Sequence, residues 1–286
     1  MDLSIVFLVL ASATLHPIWN LLVKKNSDPQ LGFILLMATT ALCALAHGVI
    51  VGVDFSSVFT VLPVIALSVI GQMIYGTCLT ATLQRGDLST YYPIIRASPI
   101  FVVIASVLLF GTYYSPLALL GIGMVMLGGF LLQYRRGSRF FDDPFTLFLA
   151  VLAMCGTGIY SLADAHLSQR IAPQVLMFTV DILVLPFYLI LWRRKRANVT
   201  LRIERLQWLS LISIMLPGLI CYVSYYLILV AYQLGGDVAV VTALRQASIP
   251  ISVALGGLYL REGAMGRRFA AATLLAFGIV VISMYG

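Results

Sequence analysis

Charge is what this chain has least of. Of its 286 residues only 10% are Asp, Glu, Lys or Arg, while 61% are hydrophobic. A soluble domain carries roughly 25% charged residues, so this composition cannot make a water-facing surface, and the bilayer is the expected solvent. Long polar stretches are missing as well, which leaves no loop able to form a soluble domain. Cysteine is sparse. Cys43, Cys78, Cys155 and Cys221 lie inside apolar runs with no CxxC spacing, which points to reduced core thiols rather than disulfides or metal ligands. Asp2 and the lack of a basic leading segment argue against a cleaved signal peptide. No HExxH, P-loop, zinc spacing or GxSxG occurs. An enzyme, a metal site and a bound cofactor are therefore not expected, and neither is nucleic acid, despite a net charge of +7.

Apolar runs long enough to cross a bilayer recur along the whole chain. Ten spans are predicted, at about 3–23, 30–53, 60–83, 88–110, 115–134, 145–167, 172–192, 207–232, 237–260 and 266–285. Turn and breaker residues mark the joints, as in Asn26-Ser27-Asp28-Pro29, Asp142-Asp143-Pro144 and Gly235-Gly236-Asp237. Asp87 and Asp237 stand where a helix N-cap belongs.

The stretch Gly86–Ser98 has a second copy at Gly236–Ser248. Gly86, Asp87, Ala97 and Ser98 match Gly236, Asp237, Ala247 and Ser248 at an offset of 150, and Leu108 and Gly128 keep that offset with Leu258 and Gly278. Two further ungapped matches inside equally apolar segments indicate an internal duplication. The halves are 1–134 and 145–286, five spans each. An odd span number turns the second copy upside down in the membrane. The expected fold is therefore all-α, ten transmembrane helices in two inverted five-helix repeats.

Fifteen of the 18 Lys and Arg residues fall on one side of the predicted spans, including Lys24, Arg85, Arg135, Arg136 and the run Arg193–Arg196; only Arg170 is on the other. The positive-inside rule places the basic side in the cytoplasm and both termini outside it. The basic run is then a topology anchor, with lipid headgroups as its natural partners.

Arg96 and Arg245 lie within spans four and nine, near the predicted midplane. An arginine there costs about 2.5–3.5 kcal/mol on insertion scales. Two guanidiniums facing one hollow suit an anionic group, because each offers a planar fork of donors; ion pairs that lock helices together are the competing reading. Asp181, in mid-span seven, is the expected ion-pair partner, or a proton carrier in a coupled cycle. Tyr92 lies one turn before Arg96. His16 and Asn20 share a helix face with Trp19 beside them, and Pro17 kinks the same helix, which makes a polar, aromatic cavity wall or an interhelical hydrogen bond. His47 reads as a packing residue, and Asp164, toward the end of span six, receives no role. Gly121, Gly123, Gly128 and Gly129, with Ala272 and Ala276, mark tight helix contact or a homodimer face.

Ten spans in a five-plus-five inverted repeat, with Gly-Asp entries into spans four and nine, resemble the drug/metabolite transporter superfamily and most closely its EamA-type group. Gly256-Gly257-Leu258-Tyr259-Leu260-Arg261-Glu262-Gly263 resembles that group's exit from span nine, although the first copy has Thr112 where the second has Glu262. His16-Pro17-Ile18-Trp19-Asn20 resembles its aromatic first span, in a variant similar to members associated with phosphonate utilisation. The resemblance implies gradient-driven, alternating-access transport of a small metabolite across the cytoplasmic membrane. Members of the group have cytoplasmic termini, the reverse of the orientation expected here from charge. A lipid-linked carrier or flippase is the alternative, with a membrane enzyme or structural subunit behind it.

Overall fold

With no water in the hydrocarbon to accept a backbone hydrogen bond, apolar segments of this length satisfy themselves as helices. The computed structural model describes residues 2–24, 29–85, 88–134, 142–195, 208–251 and 265–285, and among them every regular element is helical. The α-helices are α1 (Leu3–Lys24), α2 (Pro29–Val51), α3 (Leu62–Arg85), α4 (Leu88–Ile95), α5 (Ser98–Phe110), α6 (Pro116–Gln133), α7 (Pro144–Ser168), α8 (Pro173–Lys195), α9 (Trp208–Gln233), α10 (Val238–Leu244) and α11 (Met265–Tyr285). Short 3-10 turns cover Phe55–Thr60 and Arg245–Ala247. Eight of the described spans are long and apolar enough to cross a membrane, and two shorter apolar helices run over Val238–Ile251 and Phe269–Tyr285. This is a multi-pass helical membrane protein. Asp87 and the Gly256–Gly263 motif lie outside the described residues.

Span four is not one helix. It stops at Ile95, turns through Arg96 and Ala97, and restarts at Ser98 with Pro99 in its first turn. Pro99 has no N–H for the Ile95 carbonyl, so the α-helical ladder cannot pass this point unbroken. The segment after Asp237 behaves alike: α10 ends at Leu244, tightens into the 3-10 turn at Arg245–Ala247, and resumes at Ser248 ahead of Pro250. The expectation of two continuous helices is thus corrected, and each arginine sits at a break.

Small residues fix the principal helix contacts. Helix α6 lies against α11 so closely that a Cβ on Gly128 would meet the Leu275 nitrogen at 2.7 Å and the Ala271 carbonyl oxygen at 2.8 Å. Conversely, a Cβ on Gly278 would meet the Gly121 carbonyl oxygen and the Val125 nitrogen, both at 2.8 Å. The glycines expected to mark tight contact thus make it within one chain, except Gly123, which has nothing within 4 Å. Helix α3 meets α7 at Gly71 and Gly156 in the same manner. Helix α1 meets α9 through Ser12 and Ser224, whose hydroxyls are 3.0 Å apart, and α2 lies against both α8 and α9.

Polar contacts tie the helix ends. Arg85, at the end of α3, reaches Asp143 at 3.7 Å, where Asp143 caps α7 by accepting from the backbone N–H groups of Phe145 and Thr146. At the opposite ends of these helices' neighbours, Asp237 caps α10 by accepting from Ala239 and Val240, and the Tyr114 hydroxyl donates to it at 3.2 Å. All four cysteines are free thiols.

Two predictions follow from this packing. Gly128→Val drives a side chain into the α11 backbone and should cost about 1–3 kcal/mol, read as a lower Tm in detergent, whereas Gly123→Val should leave Tm nearly unchanged. The Asp143 carboxyl is held below its ordinary value of 3.8, first by the Thr146 hydroxyl and then by the Thr146 N–H. A depressed carboxyl stabilises the fold above its unfolded pKa, and that contribution fades as pH falls through the folded value. The Tm deficit of Asp143→Asn should therefore be full near neutrality and shrink below about pH 4, the ordinary carboxylate range.

Candidate functional site

Two connected hollows lie between the helix pairs. The larger, about 140 Å³, is lined by α1, α2, α3, α7, α8 and α9 together with Arg245. The smaller, about 50 Å³, is lined by both Arg96 and Arg245 with Thr157, Thr242 and Gln246. His16, Tyr75, Tyr160 and Arg245 border both. The two helix breaks thus bring the two arginines to one place.

The arginines are held differently. Arg96 donates from Nη2 to the Ser248 hydroxyl at 2.6 Å, while its buried Nε has no partner. Its backbone carbonyl, freed by the break, accepts from Gln246 Nε2 at 3.1 Å. The Arg245 guanidinium has no hydrogen bond or ion pair with any described residue, while its carbonyl accepts from the Ser248 hydroxyl at 2.9 Å. Its Cζ lies 5.6 Å from the centre of the Tyr225 ring, within the range of a cation–π contact, and Tyr75, Tyr160 and Tyr232 stand around it.

The ion pair expected for Asp181 is not formed. Its Oδ2 accepts from the Thr40 hydroxyl at 2.5 Å, a bond from α2 to α8, and the side chain lines the larger hollow. The sequence places Asp181 in mid-span, but position along a span does not tell which way the side chain points. Asp164 is the residue that sequence reasoning missed. It is 1% exposed, accepts from the Ser68 hydroxyl at 2.5 Å and from the Tyr225 hydroxyl, and lines the same hollow. The available signal was a serine in α3 and a tyrosine in α9 at matching depth.

Of the other expected residues, His16 borders both hollows and Trp19 the larger one, their rings meeting edge to face at 4.9 Å. Asn20 turns back on its own helix, donating to the His16 carbonyl at 3.0 Å, and lines neither hollow. Tyr92 is half-buried on α4, its carbonyl accepting from the Arg96 N–H at 3.0 Å as in an ordinary helical turn, and it lines neither hollow. His47 is bonded to the Tyr222 hydroxyl at 2.6 Å, apart from the site.

A third cavity, about 480 Å³, opens beside α4, α5 and α6. Its walls are aliphatic apart from Arg96, Gln133, Gln246 and the Phe130 ring.

No family model and no curated protein matches the chain. Among solved structures, it is similar to a protein known only as "Crystal structure of protein", with a TM-score of 0.78 and 17% identity over 98% of this chain and 95% of that one. At that identity the likeness speaks to the fold alone.

Replacing Thr40 by Val removes the hydroxyl bonded to Asp181 and leaves a carboxylate with no donor among the described residues. Losing a hydrogen bond to a charged group costs about 1.5–3 kcal/mol, so Thr40→Val should lower Tm measurably, and the double variant Thr40→Val, Asp181→Leu should recover much of the loss.

Proposed function

We propose that the chain is an EamA-type secondary transporter, carrying a small anionic or zwitterionic metabolite through the cavity between its two halves by alternating access. The observation that carries this reading is Arg245: a guanidinium deep in a membrane protein that no described residue pairs, facing a hollow it shares with Arg96. A structural arginine at this depth would be neutralised by a carboxylate, since an unpaired buried charge is costly. Asp164 and Asp181 line the adjoining hollow, yet both are bonded to hydroxyls instead. Discontinuous helices whose broken ends meet at mid-depth are the device by which many transporters build a site.

Inverted repeats are supported by the contacts. The offset of 150 pairs Gly121 with Ala271, Val125 with Leu275 and Gly128 with Gly278, and the contacts Gly128 makes with 271 and 275 are returned by Gly278 to 121 and 125. Arg96 likewise contacts Gln246, its own mate at that offset. Helices in such an arrangement rock as two bodies about the shared axis. The membrane is the cytoplasmic one under this reading, with both termini outside, and the chain works without a cofactor.

A second reading, a lipid-linked carrier, is favoured by the aliphatic cavity beside α5 and α6, because it reaches Arg96 from the lipid side. Solute uptake and headgroup scrambling in the same proteoliposomes separate the two.

The arginine claim is tested by binding and uptake with a panel of small carboxylates and phosphate esters. Arg245→Ala should weaken the best solute on the order of 10- to 100-fold, the worth of one or two charge-assisted bonds. Arg245→Lys should recover only part of it, because a point charge lacks the planar fork. Unchanged affinity for every bound solute would remove the proposal. For topology, a periplasm-dependent phosphatase fused after Gly286 should be active, and a fluorescent protein that matures only in the cytoplasm should stay dark.

A further inference from the structure

Four formal charges meet around the two hollows: Arg96, Arg245, Asp164 and Asp181. They sum to zero, yet they are not paired with one another. The guanidiniums converge on the smaller hollow, and the carboxylates lie along the larger one. Asp181 presents one oxygen to the Thr40 hydroxyl, while its Oδ1 has no hydrogen-bond partner among the described residues. Along the larger hollow stand Trp19, Phe33, Tyr160, Tyr188 and Tyr225, the last bonded to Asp164 and lying against Arg245, with Phe33 and Tyr188 edge to face at 5.7 Å. Aromatic faces beside a carboxylate are the surroundings that an ammonium group selects.

We propose that the solute is a zwitterion, bound with its amine at Asp181 and Asp164 and its anionic group at Arg245 and Arg96. The inference rests on the transporter reading above and narrows its substrate class. A simple anion would satisfy the guanidiniums and leave two carboxylates facing an apolar wall. A simple cation would do the reverse. A neutral solute with two poles meets both ends and leaves no net charge in a medium where isolated charge is expensive. The size agrees: hollows of about 140 and 50 Å³ fall below the 300–1,000 Å³ common for drug-sized ligands. The bond that Arg96 makes to Ser248 uses one of its nitrogens, so its remaining donors and all of Arg245 are free for the anionic group.

The test uses the full chain in lipid nanodiscs and three matched sets of solutes. Each set has a zwitterion, the same molecule without its amine, and the same molecule without its anionic group. The sets are β-alanine with propionate and ethylamine, taurine with ethanesulfonate and ethylamine, and 4-aminobutyrate with butyrate and propylamine. At least one zwitterion should bind about 10-fold or more tightly than both of its truncated forms, about 1.4 kcal/mol by that ratio. Asp181→Asn should abolish the advantage of that zwitterion over its deaminated anion while leaving the anion's own affinity in place. Arg245→Gln should weaken both. A deaminated anion that binds as tightly as its zwitterion overturns the inference and leaves the anion-transporter reading standing. Affinities that do not respond to Arg245→Gln overturn that underlying reading as well. Binding by none of the three zwitterions also overturns the inference. The matched solutes on the unaltered protein keep the result decisive even if Asp181→Asn misfolds.

Discussion

In hydrocarbon a helix can break only where something other than water takes up the groups it frees. That constraint organises this protein. The break at Arg96 releases a carbonyl, and Gln246, from the broken helix of the other half, supplies its donor. Ser248 then receives the Arg96 guanidinium. The first break is thus tolerated because the second lies against it, while at the second the Arg245 carbonyl accepts from the Ser248 hydroxyl of its own segment. A residue at the turn of an interrupted helix points away from the bundle wall and into the space the interruption opens.

Hydroxyl groups, rather than opposite charges, hold three of the four charged side chains. Thr40 holds Asp181, Ser68 and Tyr225 hold Asp164, and Ser248 holds Arg96. The difference matters for what the cavity can do. A direct ion pair in this setting would be strong, because the medium screens poorly, and it would compete with any charged solute. A neutral hydroxyl orients the charge at lower cost to its availability. It also ties separate helices together: Thr40 in α2 to α8, Ser68 in α3 to α7, Tyr225 in α9 to α7.

What could be read from the residues was the part that hydropathy encodes. Apolar runs separated by Pro, Gly and Asp predicted most of the spans, and the Gly-Asp entry predicted the Asp237 cap. Arg96 and Arg245 stood out because charge is so scarce. Azimuth and interruption were not legible in the same way. Asp181 was given an arginine partner on depth alone, whereas its direction is set by α2, through Thr40. Asp164 was passed over as an end-of-span residue, yet packing of α3 and α9 over that part of α7 seals it from solvent. The breaks themselves had a signal. Pro99 and Pro250 follow the arginines by three and five residues, and proline's missing N–H forbids a continuous ladder at those points. The arginines drew attention to these segments as intact helices, and the prolines beside them were not given their weight.

The duplication proposed above would also account for why the two arginines are unlike. Strict doubling would put an arginine at 246, the mate of Arg96, but the chain has Gln246 there and Arg245 beside it. One residue along a helical backbone turns a side chain by about 100°. The shift gives the two positions different duties. Gln246 meets the Arg96 carbonyl across the axis and closes the joint between the halves, a task for an amide that donates without bringing charge. Arg245, turned away from that joint, faces the larger hollow, the tyrosines and the carboxylates. Had the second copy kept arginine in register, two guanidiniums would confront each other across the axis, and repulsion at short range would open the joint that allows both helices to break. On that proposal, the one-residue departure from symmetry separates Gln246, which meets the Arg96 carbonyl, from Arg245, whose guanidinium faces the larger hollow.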